Sequence, residues 1–217
     1  MRQSRNANPR SSRVTADSAL KHQVAREAAT LLYFGAEKEY KQAKEQAALT
    51  LGAHFLPSNL EVALELDLVA EENEGQDRKE HLIQMRQEAL QIMKVLEAFC
   101  PVLIGSVWRG TIRRGSDIDV SVYSDEPKKV EDALEAAAVK VLKTAWTTVN
   151  KRGVTMESYH IYVETAAKHG VEIVVRSREE QGKFRKCETF GDEMKGLKTR
   201  ELEKLLKENP TGKFIPQ

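Results

Sequence analysis

Cysteine is scarce: Cys100 and Cys187 are the only two in 217 residues, they lie far apart, and they form no CxxC pair. This excludes a secreted disulfide scaffold and a zinc-ribbon module, and it fits reduced thiols in a cytoplasmic protein. Long apolar runs are also missing. No stretch approaches the roughly 18 residues that span a bilayer, so no membrane partner is expected. The start, MRQSRNANPRSSR, lacks the hydrophobic segment of a secretory signal. Net charge is nearly absent, because 34 Lys and Arg face 33 Asp and Glu. That excludes a surface built throughout as a polyanion trap, though not local patches. Aromatics make up only 6%, yet 41% of the chain is hydrophobic, too much for a wholly disordered protein and enough to bury a sizeable core.

Along the chain the texture changes twice. Residues 1–15 read as a disordered basic arm carrying Arg2, Arg5, Arg10 and Arg13. Residues 16–100 read as a helical region. Leu20, Val24, Ala28, Leu31 and Leu32 recur at helical spacing, and Gly52 is placed to end the run EKEYKQAKEQAA. Ser58 and Glu61 form a capping-box signature for a helix over about 59–70. A loop is expected at EENEGQD, with Asp77 and Glu80 opening a third helix. The apolar stripe of that helix, Leu82, Met85, Ala89, Met93, Leu96 and Phe99, reads as core. Pro101 closes it. From 101 to 217 short β-type runs alternate unevenly with helices, which indicates an α+β domain. Strands are expected at Val102–Ser106, Asp117–Tyr123, Tyr159–Val163 and Val171–Arg176, with a further one at Trp146–Asn150. Helices are expected at about Pro127–Lys143 and Leu197–Glu208.

The chemistry concentrates between Leu103 and Val120. Asp117 and Asp119 are two apart, which in a strand puts both carboxylates on one face and Ile118, Val120 and Val122 on the other. Two carboxylates side by side repel, so a cation should compensate them. Mg²⁺ or Mn²⁺ with phosphate oxygens suits such a pair. Upstream, Gly105-Ser106 makes the turn from a strand into a short helix, where backbone N–H groups and the Ser hydroxyl attract phosphate. Arg109, Arg113 and Arg114 follow with no acid among them, making the loop locally positive. Metal-binding acids, a phosphate turn and basic side chains together describe a nucleoside triphosphate site.

This pattern of hydrophobic–Gly–Ser, ten residues, then Asp–hydrophobic–Asp–hydrophobic resembles the signature of the DNA polymerase β-like nucleotidyltransferase superfamily. It is most similar to the small nucleotidyltransferases of prokaryotes, archaea in particular. The resemblance implies a mixed or antiparallel sheet with helices against one face. It also implies two divalent ions held by Asp117, Asp119 and a third carboxylate on a nearby strand, with the triphosphate at Gly105 and Ser106. For the third acid Glu172 is favoured, since it alternates with Val171, Ile173 and Val175; Glu164 is the rival. The implied reaction moves a nucleoside monophosphate from an NTP to an acceptor hydroxyl, with release of pyrophosphate. RNA, a small molecule and a protein all stay open as acceptor.

Two other readings stand beside it: a non-catalytic nucleotide- or RNA-binding regulator, and an antitoxin-like protein whose helical region pairs with a partner chain or a second copy. Trp108 reads as a packing residue, and His160 and His169 as structural histidines, because neither shows a paired ligand spacing. The stretch RSREEQGKFRK at 176–186 reads as a solvated loop, with contact to an acceptor polyanion as the alternative.

Overall fold

The computed structural model describes residues 9–151 and 154–216, which fall into two compact units. Of the described residues, one unit reaches to Asn73 and includes Glu188–Gly191; the other comprises Glu74–Cys187 and residues 192–216. The first eight residues of the expected arm lie outside the described residues, and from Pro9 the chain is helical. Among the described residues no helix is long and apolar enough to cross a membrane.

The first unit holds α1 (Pro9–Tyr33), α2 (Tyr40–Leu51) and the opening turns of α3 (Asn59–Val95). Gly52, at φ 63°, ends α2 by donating its N–H to the carbonyls of Ala48 and Leu49. The capping box at the start of α3 forms as the spacing predicts. The Glu61 N–H donates to Ser58 Oγ at 3.2 Å, and the Ser58 N–H donates to Glu61 Oε2 at 2.7 Å. The core between these helices is built largely from small residues, including Ala25, Ala28, Ala29, Ala43 and Ala47. Lys21–Glu61 and His22–Glu65 contacts, both at 2.8 Å, cross from α1 to α3. The loop expected at EENEGQD is not formed. Helical residues continue on both sides, and the break is confined to Gly75 (φ 56°, ψ −130°). The flanking Glu, Gln, Arg and Lys are good helix formers, so only the glycine yields.

The second unit is a six-stranded sheet in the order β3-β4-β5-β2-β1-β6. Its strands are β1 (Val102–Ile104), β2 (Ile118–Tyr123), β3 (Val141–Lys151), β4 (Val154–Glu164), β5 (Gly170–Arg176) and β6 (Leu197–Lys198). Every pair is antiparallel except β2 with β5. Helices α4 (Gly105–Arg109), α5 (Pro127–Ala136) and α6 (Thr199–Glu208) complete it. The fold is thus α+β with a mostly antiparallel sheet and preceding helices, as expected. Several boundaries differ: β1 ends at Ile104 rather than Ser106, β2 starts at Ile118 and leaves Asp117 just before it, and β3 and β4 start earlier than expected, at Val141 and Val154. The helix expected over 127–143 stops at Ala136; Ala138 turns the chain at φ 57°, and the β-branched Val141 begins β3. The last helix yields its first two residues, Leu197 and Lys198, to β6.

Strand alternation sorts the sheet into two faces. Leu103, Ile118, Val120, Val122, Ile161 and Ile173 are fully buried in a core shared with Met85 and Met93 of α3, Leu96 just after it, Leu134 of α5 and Leu202 of α6. Each such side chain is worth about 1.5–3 kcal/mol relative to exposure. Asp119, Ser121 and Tyr123 of β2 then take the opposite face, together with Glu172 and Arg176 of β5.

Candidate active site

Strand register assembles the site. Ile104 pairs with Asp119 across β1 and β2, and Asp119 pairs with Glu172 across β2 and β5. Gly105 follows Ile104 directly, so the turn and both acids stand at one level of the sheet. Gly105 has φ 71°, a left-handed geometry suited to glycine. A β-carbon at this position would overlap the Asp119 carboxylate. At Gly170 a β-carbon would lie 2.5 Å from Asp117 Oδ1. Each aspartate therefore occupies space that a glycine leaves open.

The electrostatics are those of an uncompensated cluster. Burial, then the charges of Glu172 and Asp117, push the Asp119 carboxyl up to about 7. Neither Asp117 nor Asp119 has an ion-pair partner among the described residues. Glu172 is better held. Its Oε1 accepts from Tyr162 Oη at 2.8 Å and lies 2.7 Å from His160 Nδ1, while His160 Nε2 meets Ser158 Oγ at 2.9 Å. Among the described residues no three His, Cys, Asp or Glu side chains are already gathered around a point that could hold a metal ion. The donor chemistry nevertheless fits a hard divalent cation: all oxygen, adjacent, and at Asp117 and Asp119 without an ion-pair partner among the described residues.

The remaining candidates divide. Ser106 lies half-buried in α4, its hydroxyl without a partner among the described residues. Arg113 and Arg114 sit in a tight turn closed by Arg113 N–H to Ser116 Oγ at 3.0 Å, with Arg114 exposed. Arg109 is drawn into the fold instead. It is buried, its guanidinium donates to Asp192 Oδ1 at 2.6 Å and to the Phe214 carbonyl at 2.9 Å, and it stacks over the buried Trp108 at 4.4 Å. Glu164 pairs with Gly170 at the end of β4 and β5, not with Asp119, and forms a 2.8 Å ion pair with Lys168.

Against known families, the one described as nucleotidyltransferase domain matches residues 86–208, more than half of the chain. The chain belongs to the nucleotidyltransferase domain family. Among solved structures, one titled "Structural Basis for the Activity of a Cytoplasmic RNA Terminal U-transferase" is similar at 16% identity and a TM-score of 0.31. The match covers 56% of this chain and 35% of that one, so the chain spans about a third of that protein's length. Comparison with curated proteins found no match.

Several residues that shape this nucleotidyltransferase domain carry little sequence signal. Arg86 is fully buried in α3 and donates to the carbonyls of Val107 (3.0 Å) and Trp108 (2.9 Å) in α4, and to those of Pro210 (2.7 Å) and Gly212 (2.9 Å). It thereby fixes the helix that follows the Gly105 turn, and burial lowers its pKa to about 10. His160 and Tyr162 are visible only through alternation, since they share a face of β4 that register turns toward Glu172. His169 keeps a structural place, 2.6 Å from Glu88 and 2.7 Å from His81.

Proposed function

We propose that this protein transfers a nucleoside monophosphate from an NTP to an acceptor hydroxyl and releases pyrophosphate. One observation carries the reading: Asp119 and Glu172 face each other across β2 and β5, with Asp117 two residues away and the Gly105-Ser106 turn at the same level. In this proposal Asp117, Asp119 and Glu172 hold two divalent ions, Mg²⁺ or Mn²⁺. When bound there, the metal supplies Lewis-acid stabilisation of charge on the phosphates.

The residues of the chain supply position. Gly105 lets the backbone approach the β/γ-phosphates, and the Ser106 hydroxyl donates to them. Arg113 and Arg114 screen the polyphosphate from the loop, while Arg109 supports α4 from within the fold. The acceptor oxygen attacks the α-phosphorus, forming one P–O bond as the bond to pyrophosphate breaks. The hydroxyl proton passes to Glu172 Oε2, the oxygen left open while His160 and Tyr162 hold Oε1. In-line displacement of this kind depends on alignment more than on covalent help from the protein.

The test is transfer of α-labelled nucleotide in Mg²⁺, with each NTP in turn and with RNA, small hydroxyl compounds and proteins as acceptors. Label should enter one acceptor class with matching pyrophosphate release, and Asp117→Asn should abolish both. NTP binding with no transfer to any class would favour the regulatory reading.

A further inference from the structure

The open sheet face carries more than the acids. Beside them lies a cavity of about 760 Å³, walled by β1, β2 and β5, by the segments that precede β1 and follow β5, and by β6 and the first turn of α6. Its lining includes Ile104 and Ser121, each adjacent to the Asp119 level, and extends to Tyr123 and Arg176, the last pair of the β2–β5 register. At about 3.3 Å per residue this end stands about 13 Å from Asp119. Gly105-Ser106 lies beyond the other end of β1. The turn and the acids therefore stand together at one end, and the cavity extends away from them along β1 and β2.

The walls are strongly basic in a chain that is nearly neutral. Seven Lys and Arg line the cavity against three Glu. Two of the cations crowd one acid: Arg176 Nη1 is 3.8 Å and Arg185 Nη2 is 2.6 Å from Glu180 Oε2. Burial and the neighbouring Arg185 both lower the Arg176 pKa, as expected where two cations share one carboxylate. Arg178, Lys183, Lys195 and Arg200 have no ion pair among the described residues. Tyr123 and Phe184 add aromatic surface. Four net positive charges match one or two phosphate groups at about −1.5 to −2 each. The volume lies within the roughly 300–1,000 Å³ of small-molecule sites.

We infer that this cavity is the acceptor site, and that the acceptor is a small molecule carrying phosphate. The assignment rests on the nucleotidyl-transfer reading for the word acceptor; the anion site itself does not. A donor NTP reaches the acids from the Gly105 turn, whereas a phosphorylated hydroxyl compound anchored on Arg176, Lys183 and Arg185 reaches them along the cavity. Donor and acceptor thus come to the acids from different directions, as in-line attack requires.

Cys100 is exposed and lines the cavity, so it serves as reporter. In a Cys187→Ser protein, maleimide labelling of Cys100 is followed with glucose 6-phosphate or AMP, with glucose or adenosine, and with a single-stranded RNA oligonucleotide. Phosphorylated probes should slow labelling roughly tenfold at about ten times their Kd, and the uncharged probes should not. Arg178→Glu/Lys183→Glu should remove protection yet leave Mg²⁺-dependent NTP affinity intact, and Asp119→Asn should keep protection. No protection by either phosphorylated probe, equal protection by glucose or adenosine, or protection that survives charge reversal would overturn the site. Protection by RNA alone would give it to a nucleic-acid end, and a matching fall in NTP affinity would give it to the donor. Absence of transfer in the parent protein would remove the nucleotidyl-transfer reading instead, while labelling still reports on the anion site.

Discussion

The carboxylate of Asp119 fills the space where a side chain at Gly105 would begin, so the turn and the strand acid form one packed unit. Gly115 has a similar φ, 73°, but nothing within 4 Å of its would-be β-carbon. Both Gly→Ala changes incur about 1–2 kcal/mol for left-handed backbone. Gly105→Ala should lose roughly 1–3 kcal/mol more, since Asp119 must move. Urea denaturation of the two variants checks this, and equal losses would mean that the close approach is absent.

Asp119 also burdens the metal-free fold. Its carboxyl stands near 7 in the folded chain against an ordinary 3.8, so the folded state binds the proton more tightly than the unfolded state. Its contribution is fully present below pH of about 4 and is lost as pH rises through about 7. At pH 8 the buried charge destabilises by at most about 4 kcal/mol. Asp119→Asn should therefore raise the metal-free melting temperature, by more at pH 8 than at pH 5. Saturating Mn²⁺ should reverse the order, stabilising the parent protein alone. A metal-free Asn variant that melts below the parent at pH 8 would contradict the charge argument.

For the third acid the pairing separates Glu172 from Glu164. Glu172→Gln preserves the acceptor for Tyr162 and removes the charge opposite Asp119. Transfer should fall by about 10²–10⁴ with little change in melting temperature. Glu164→Gln breaks only an exposed pair with Lys168 and should stay within about threefold of parent activity. Steady-state rates decide between them, and the reverse ordering would move the site to the end of β4.

Arg109 and Arg114 should behave as opposites. Arg109→Ala leaves Asp192 and the Phe214 carbonyl without their partner, and it should cost about 3–5 kcal/mol in denaturant titration. Arg114→Ala, on the exposed turn, should shift stability by less than about 0.5 kcal/mol and weaken NTP binding instead. A stable Arg109→Ala protein with weakened NTP affinity would restore Arg109 to the nucleotide.

What was legible in the sequence follows from how local each feature is. The cap at Ser58–Glu61, the stop at Gly52, the stripe from Leu82 to Leu96 and the alternation from Ile118 to Val122 depend on residues within a few positions of one another. The structure forms each of them. The loop at EENEGQD misled because its polarity marks solvent exposure as readily as irregular backbone, and only Gly75 breaks the helix. The helix expected to run to Lys143 misled because alanine propensity carried past Ala136, whereas pairing with β4 claims Val141 onward. Arg109 looked like a phosphate ligand because its partner Asp192 is 83 residues away. His160, Tyr162, Gly170 and Arg86 escaped for the same reason, since each acts through a partner that only strand register or helix packing brings near.

The measurement closest to the central claim is NTP binding by calorimetry, with Mg²⁺ and with EDTA, on the parent protein and on Asp117→Asn/Asp119→Asn. If the carboxylates at the Gly105 level hold metal for a nucleotide, Mg²⁺ should tighten binding in the parent at least about tenfold, and the double variant should lose that dependence while staying folded. Equal affinity in Mg²⁺ and in EDTA for the parent protein would contradict a metal-dependent nucleotidyl-transfer site.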